Sequence, residues 1–143
     1  MAVSDGLAKL SKRAKKAEDD AQAASTQARK DLEKTVDDMQ MSAEAEAKKV
    51  QQRAQAASDQ VSDTWRDVQK TWNAHVAKVR DDVHQQRAMF DASNASARAD
   101  WAEQSAGMAV DYAYAAIEEA EYAVLDAILA RREAEDALAT ASR

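Results

Sequence analysis

An eleven-residue repeat of small and apolar side chains runs through the middle of this chain and constrains its fold more than any other feature. The same helical face returns at positions spaced eleven apart: Ala28, Met39, Val50, Val61, Trp72 and Val83. Most apolar residues between them follow steps of four, four and three. Eleven residues in three turns is about 3.67 residues per turn, which favours straight or slightly right-handed packing of long helices.

This repeating face, which we call the seam, predicts the residues that pack in an α-helical coiled coil or bundle. Alanines such as Ala43, Ala47, Ala54 and Ala57 occupy some of its positions and allow close approach of a second helix. Trp65 and Trp72 stand seven residues apart and are expected to fill its core. The members expected to form the packing or oligomer surface are Ala28, Leu32, Val36, Met39, Val50, Val61, Trp65, Val68, Trp72, Val76, Val79 and Val83.

The composition predicts an all-α fold. The chain has 143 residues, no proline and only two glycines, so the residues that most often interrupt helices are nearly absent. Apolar residues make up 45% of the sequence, but aromatic residues only 5%. Because a thick globular core needs bulky side chains, closely packed helices built on small residues are favoured.

Two architectures agree with the seam. In the first, a helix from about residue 5 to about 91 and an antiparallel helix from about 96 to 140 form a coiled-coil hairpin, with a turn at 92–96. In the second, three helices of about 45 residues, with a break near 42–47, form a bundle. Ser25, Ser42 and Ser58 leave the phase of the seam unchanged, so the first architecture is preferred. In either case residues 1–143 form a single helical domain.

Self-association is expected from the unequal lengths of the two helices in the hairpin. A helix rises about 1.5 Å per residue, so the second helix covers only about half of the first. The apolar stripe that remains is long enough to act as an association surface.

The second helix carries a ridge of alanines at steps of four and three. Such a ridge lets a neighbouring backbone approach closely. Three bulky residues beside it, Ile117, Val124 and Ile128, are expected to contribute to the same packing surface. The alanines of the ridge are Ala109, Ala113, Ala116, Ala120, Ala123 and Ala127.

The charge is unevenly distributed along the chain. The net charge is −6, but the segment 1–16 is basic and the remainder acidic. An acidic body argues against nucleic-acid binding, since phosphates require a positive surface. The basic start is either a solvated helix end or a contact arm for DNA, an anionic membrane or an acidic partner. Its cations are Lys9, Lys12, Arg13, Lys15 and Lys16.

No catalytic, cofactor or metal site is predicted. The sequence has no cysteine and two histidines, His75 and His84, which lie nine residues apart and therefore point to opposite sides of a helix. Neither histidine follows a glutamate by three residues, as ligands in helical di-metal proteins do. Glycine-rich phosphate loops and nucleophile motifs are also absent from the sequence. We therefore expect a protein without enzymatic activity.

The amino-terminal residues lack the apolar stretch of a signal peptide, and no apolar segment of about 18 residues exists. The sequence therefore predicts a cytoplasmic protein.

Residues 28–83 resemble stalk-forming coiled coils, such as the peripheral stalk of rotary ATP synthases, in their period and in their content of Ala, Glu, Gln and Lys. The resemblance implies a structural role, and we expect a scaffolding protein that forms homo-oligomers through the seam. The alternatives are a binder of lipid or granule surfaces, since apolipoprotein-like and phasin-like helices share the period, and an adaptor that docks a protein partner. Lipid binding is not favoured, because the seam is narrow and the middle of the second helix lacks cations.

Overall fold

The computed structural model describes residues 2–89 and 91–141 and, for side chains, residues 4–89 and 91–141. The described residues form four α-helices, which confirms the predicted all-α class. The helices are α1 (Ala2–Ala24), α2 (Arg29–Ala56), α3 (Asp59–Ala88) and α4 (Ala95–Ala141). No helix of these residues is long and apolar enough to cross a membrane.

Residues 5–91 do not form the single helix that the seam predicts, because the backbone leaves the helical conformation twice. Between α1 and α2, Ala28 has an extended backbone with φ −65° and ψ 151°. The side chain of Gln27 accepts a hydrogen bond of 3.0 Å from the Thr35 hydroxyl. The long-helix prediction is therefore wrong for this segment, where Ser25 and Thr26 mark the end of α1.

The second break separates α2 from α3 at two residues. Ala57 and Ser58 are both extended, with ψ values of 166° and 154°. Ser58 is the N-cap of α3, and its side chain accepts a hydrogen bond from the backbone N–H of Val61. A serine at this position satisfies a helix donor that a straight helix would bond internally, and so it stabilises the break. The alternative of three helices of about 45 residues is also wrong, since only α4, with 47 residues, has that length.

The interruption before α4 is organised by Asp91. Its carboxylate accepts hydrogen bonds from the backbone N–H groups of Ser93, at 2.9 Å, and Asn94, at 3.0 Å. The Ser93 hydroxyl donates a third bond of 2.6 Å. Asn94 in turn accepts from the Asp91 N–H and donates to the Met89 carbonyl. This network fixes the chain at the start of α4, which begins close to the predicted residue 96.

The chain divides into two compact units. One consists of 24–98 and contains α2 and α3, and the other consists of 1–23 together with 99–143. No side chain in the described part of either unit is fully buried. The chain therefore has no conventional hydrophobic core of its own within these residues.

Candidate functional site

An apolar groove lies between α2 and α3, which fold back on each other as a helical hairpin. It has a volume of about 440 Å³. The wall from α2 and its end combines two alanines with a valine and an arginine, and the wall from α3 combines two valines and two indoles with a glutamine. The lining residues are Val50, Arg53, Ala54, Ala57, Val61, Trp65, Val68, Gln69 and Trp72. We call this surface the hairpin groove.

The spacing of the seam explains why the groove is apolar on both walls. Val50, Ala54 and Ala57 lie eleven, seven and four residues before Val61, while Trp65, Val68 and Trp72 lie four, seven and eleven residues after it. The pattern is therefore the same in both directions from Val61. A chain that reverses near this point brings apolar side chains of α2 to apolar side chains of α3.

Polar contacts hold the two helices of the hairpin together. The Arg80 guanidinium of α3 lies 3.2 Å from the Glu44 carboxylate of α2, and both side chains are partly exposed. Near the turn, the Ser62 hydroxyl donates a hydrogen bond to the Ala54 carbonyl. The first contact joins residues 36 positions apart and the second joins residues eight positions apart, and both connect α3 with α2.

The two tryptophans of the groove are not buried. Trp65 is 52% exposed and Trp72 is 55% exposed, although the sequence predicts both as core residues. The ring of His75 lies at the side of Trp72, with ring centroids 5.8 Å apart and planes tilted by 39°. Half of each indole thus faces away from its own hairpin.

The hairpin groove contains five of the twelve predicted seam residues: Val50, Val61, Trp65, Val68 and Trp72. Ala28 precedes α2, and the remaining members lie on α2 or α3 away from the groove lining. Among those remaining members, Leu32, Val76 and Val83 are partly covered, whereas Val36, Met39 and Val79 are exposed.

The predicted ridge lies along α4, but the better-covered residues are at one side of it. Ala120, Val124 and Ile128 are partly covered, and Ile117 is 38% exposed, less than any other exposed large apolar residue in the described part of α4. The other alanines of the ridge are exposed: Ala109, Ala113, Ala116, Ala123 and Ala127.

The basic residues of the amino-terminal segment lie within α1 and do not form a separate arm. Lys9, Lys12 and Arg13 precede two lysines that form ion pairs further along the same helix. Lys15 lies 3.2 Å from Asp19, and Lys16 lies 2.7 Å from Asp20. These exposed pairs partly neutralise the positive end of the segment.

Several residues of the groove are absent from the sequence-based prediction. Gln69 and Arg53 line it, and the ion pair between Glu44 and Arg80 aligns its walls. No sequence signal pairs Glu44 with Arg80, because they are 36 positions apart and become neighbours only when the helix breaks. The serine at 58 was the available signal for that break.

The titratable groups of the described residues offer no concentrated chemical site. Among these residues no group of three or more His, Asp or Glu side chains could hold a metal ion. One carboxylate has a clearly shifted pKa: the Ser93 hydroxyl and then the Asn94 and Ser93 amides lower the pKa of Asp91 below its ordinary value of 3.8. These bonds belong to the helix junction.

Comparison with known proteins identifies no relative: no protein-family profile, curated protein or solved structure matches the chain. The resemblance of residues 28–83 to stalk-forming coiled coils therefore concerns period and composition alone.

Proposed function

We propose that this protein is a non-enzymatic structural or scaffolding protein that self-associates through the seam. The observation that carries the proposal is that apolar seam residues converge on the hairpin groove while no described side chain is buried. Folding must offset the conformational entropy of the chain by removing apolar surface from water. Association supplies the burial that these residues lack within one chain.

The exposed apolar face of α2 and α3 is poorly explained by helices that remain isolated in water. Helices without tertiary packing are marginal in water even when their sequences favour helix, because most helical stability comes from the packing of an apolar face. The helices α2 and α3 both carry such a face, and its most exposed large residues include Val50, Val61 and the two tryptophans. In a scaffold that assembles through this face, the contacts between copies both stabilise the helices and form the assembly.

The test is the molar mass of the full chain and of a charged seam variant. We expect the wild type to have a multiple of 15.6 kDa in light scattering, and Val50→Glu combined with Val61→Glu to lower the mass to 15.6 kDa. Burying two carboxylates without partners in an apolar interface is strongly unfavourable. The matched control, Val110→Glu combined with Leu125→Glu, changes exposed residues of α4 and should keep the wild-type mass. A wild-type mass of 15.6 kDa at every concentration would overturn the proposal.

Binding to a lipid or granule surface is the second candidate, and α1 is the observation that favours it. This helix combines Leu7 and Leu10 with five cations, a combination typical of interfacial helices. However, the later part of α1 is acidic and already pairs with Lys15 and Lys16. Flotation with anionic vesicles separates the candidates: a scaffold stays unbound, and a surface binder floats.

A further inference from the structure

The two walls of the hairpin groove differ in size. On the α2 side, Ala54 and Ala57 present only methyl groups, and Val50 and Arg53 complete that wall. On the α3 side, Trp65 and Trp72 are both half exposed and flank Val68. Large side chains therefore face open space beside a strip of small ones.

We infer that the hairpin groove is a homodimer interface in which the α3 indoles of each copy pack against the small-residue wall of the other. The inference rests on the proposed self-association and specifies its partner and its contacts. A two-fold symmetric interface uses the same patch on both copies, so that patch must be complementary to itself. Large residues on one wall and small residues on the other meet this requirement when the two-fold axis runs along the hairpin, because that axis places each indole wall on the partner's alanine-containing wall.

The charge of the hairpin favours a second copy over a strongly charged partner. Helix α2 contains six basic and six acidic residues, and α3 contains five of each. Two such hairpins meet without net repulsion. Nucleic acid or an anionic membrane would gain no net attraction from this surface, because such partners require a positive one.

The exposed apolar surface is large enough for a dimer. The two half-exposed indoles contribute about 250 Å². The six exposed aliphatic residues of the seam, at about 50 Å² each, bring the apolar surface to roughly 550 Å². Three of them, Val36, Met39 and Val79, lie outside the groove lining. A standard protein interface buries about 800 Å² per partner, including its polar rim. The seam and its flanking polar residues together therefore provide an area of the right size.

Aromatic truncation in the full-length chain tests this interface. Trp65→Ala combined with Trp72→Ala should raise the dimer dissociation constant by at least about 100-fold, because central aromatic residues carry most of the binding energy of an interface. The matched control, Tyr112→Ala combined with Tyr122→Ala, removes two exposed aromatic rings from α4 and should leave the constant unchanged. Sedimentation equilibrium gives the constants, and circular dichroism reports whether each variant remains helical.

A second measurement does not depend on removing the indoles. Trp101→Phe leaves Trp65 and Trp72 as the two reporters, since the chain has three tryptophans. Their emission should shift to longer wavelength on dilution, with the same midpoint as the loss of dimer mass, because dissociation exposes both rings to water.

The outcomes distinguish the interface from the broader proposal. If the chain is dimeric but the reporter emission does not change when the dimer dissociates, the interface lies elsewhere. The inference then fails while self-association stands. A monomer at every concentration would overturn both. Emission at short wavelength only with anionic vesicles would assign the groove to lipid and also overturn the inference.

Discussion

The α2–α3 hairpin and helix α4 expose apolar side chains in two different ways. In the hairpin, residues from two helices converge on one groove. In α4, residues two positions apart, such as Met108 and Val110, project to nearly opposite sides of the helix, and both are exposed. The helix α4 also carries ten acidic and three basic residues, whereas the hairpin helices are balanced. Convergence and charge balance thus distinguish the hairpin, for which we propose association, from α4, whose apolar residues are exposed without either property.

Proline substitutions should change the free energy of unfolding more than any other change considered, and they distinguish the interrupted α2–α3 hairpin from the continuous helix α4. Asp59→Pro should change the free energy of unfolding by less than about 1 kcal/mol, because proline is accepted at the first position of a helix. Ser58 before it is already extended, with ψ 154°, as a residue preceding proline must be. Gln52→Pro in α2 and Glu119→Pro in α4 should each cost about 3 kcal/mol or more, since both lie inside helices.

Urea denaturation followed by circular dichroism measures these three changes. Equal destabilisation by Asp59→Pro and Gln52→Pro would mean that residues 57–59 are helical and that α2 and α3 form one straight helix. The position Glu119 is the control for a helix with no break.

The ion pair between α2 and α3 should contribute less to the free energy of unfolding. A double-mutant cycle with Glu44→Gln and Arg80→Gln should give a coupling of about 0.5 kcal/mol, because the pair is partly exposed and screened by water. The coupling should fall at high salt. The control is the ion pair between Asp63 and Arg66, which lies within α3. Replacing either of these residues should leave the coupling energy between Glu44 and Arg80 unchanged. A coupling of zero would mean that the pair of Glu44 and Arg80 does not stabilise the alignment of α2 with α3.

The smallest effect concerns the junction that precedes α4. The pKa of Asp91 is lowered by its hydrogen bonds, so the charged carboxylate stabilises the folded junction above pH 3.8. This contribution should be lost as the pH falls below 3.8 through the lower pKa of the folded state. The amide chemical shifts of Ser93 and Asn94 should report the titration in NMR spectra, and Asp91→Asn should abolish it. A midpoint at or above 3.8 would show that the bonds do not favour the charged form.

The site was only partly accessible from the sequence. The periodic spacing identified Val50, Val61, Trp65, Val68 and Trp72 as members of one face, and the structure gathers these five in the hairpin groove. It did not identify Gln69 as a lining residue or Arg80 as the partner of Glu44. Contacts of this kind depend on where the chain reverses, and a periodic pattern carries no mark of that position.

The all-α class follows from composition, because a chain with no proline and two glycines has few places where a helix must end. The reversal of the seam at Ala57 and Ser58 is visible only in the three-dimensional structure. Steps of four, three and four residues are the same in both directions from Val61, so a straight helix and a hairpin satisfy the same pattern. The cap provided by Ser58 and the ion pair between Glu44 and Arg80 favour the hairpin. A periodic pattern of apolar residues does not specify which distant residues come into contact, so it could not predict these interactions.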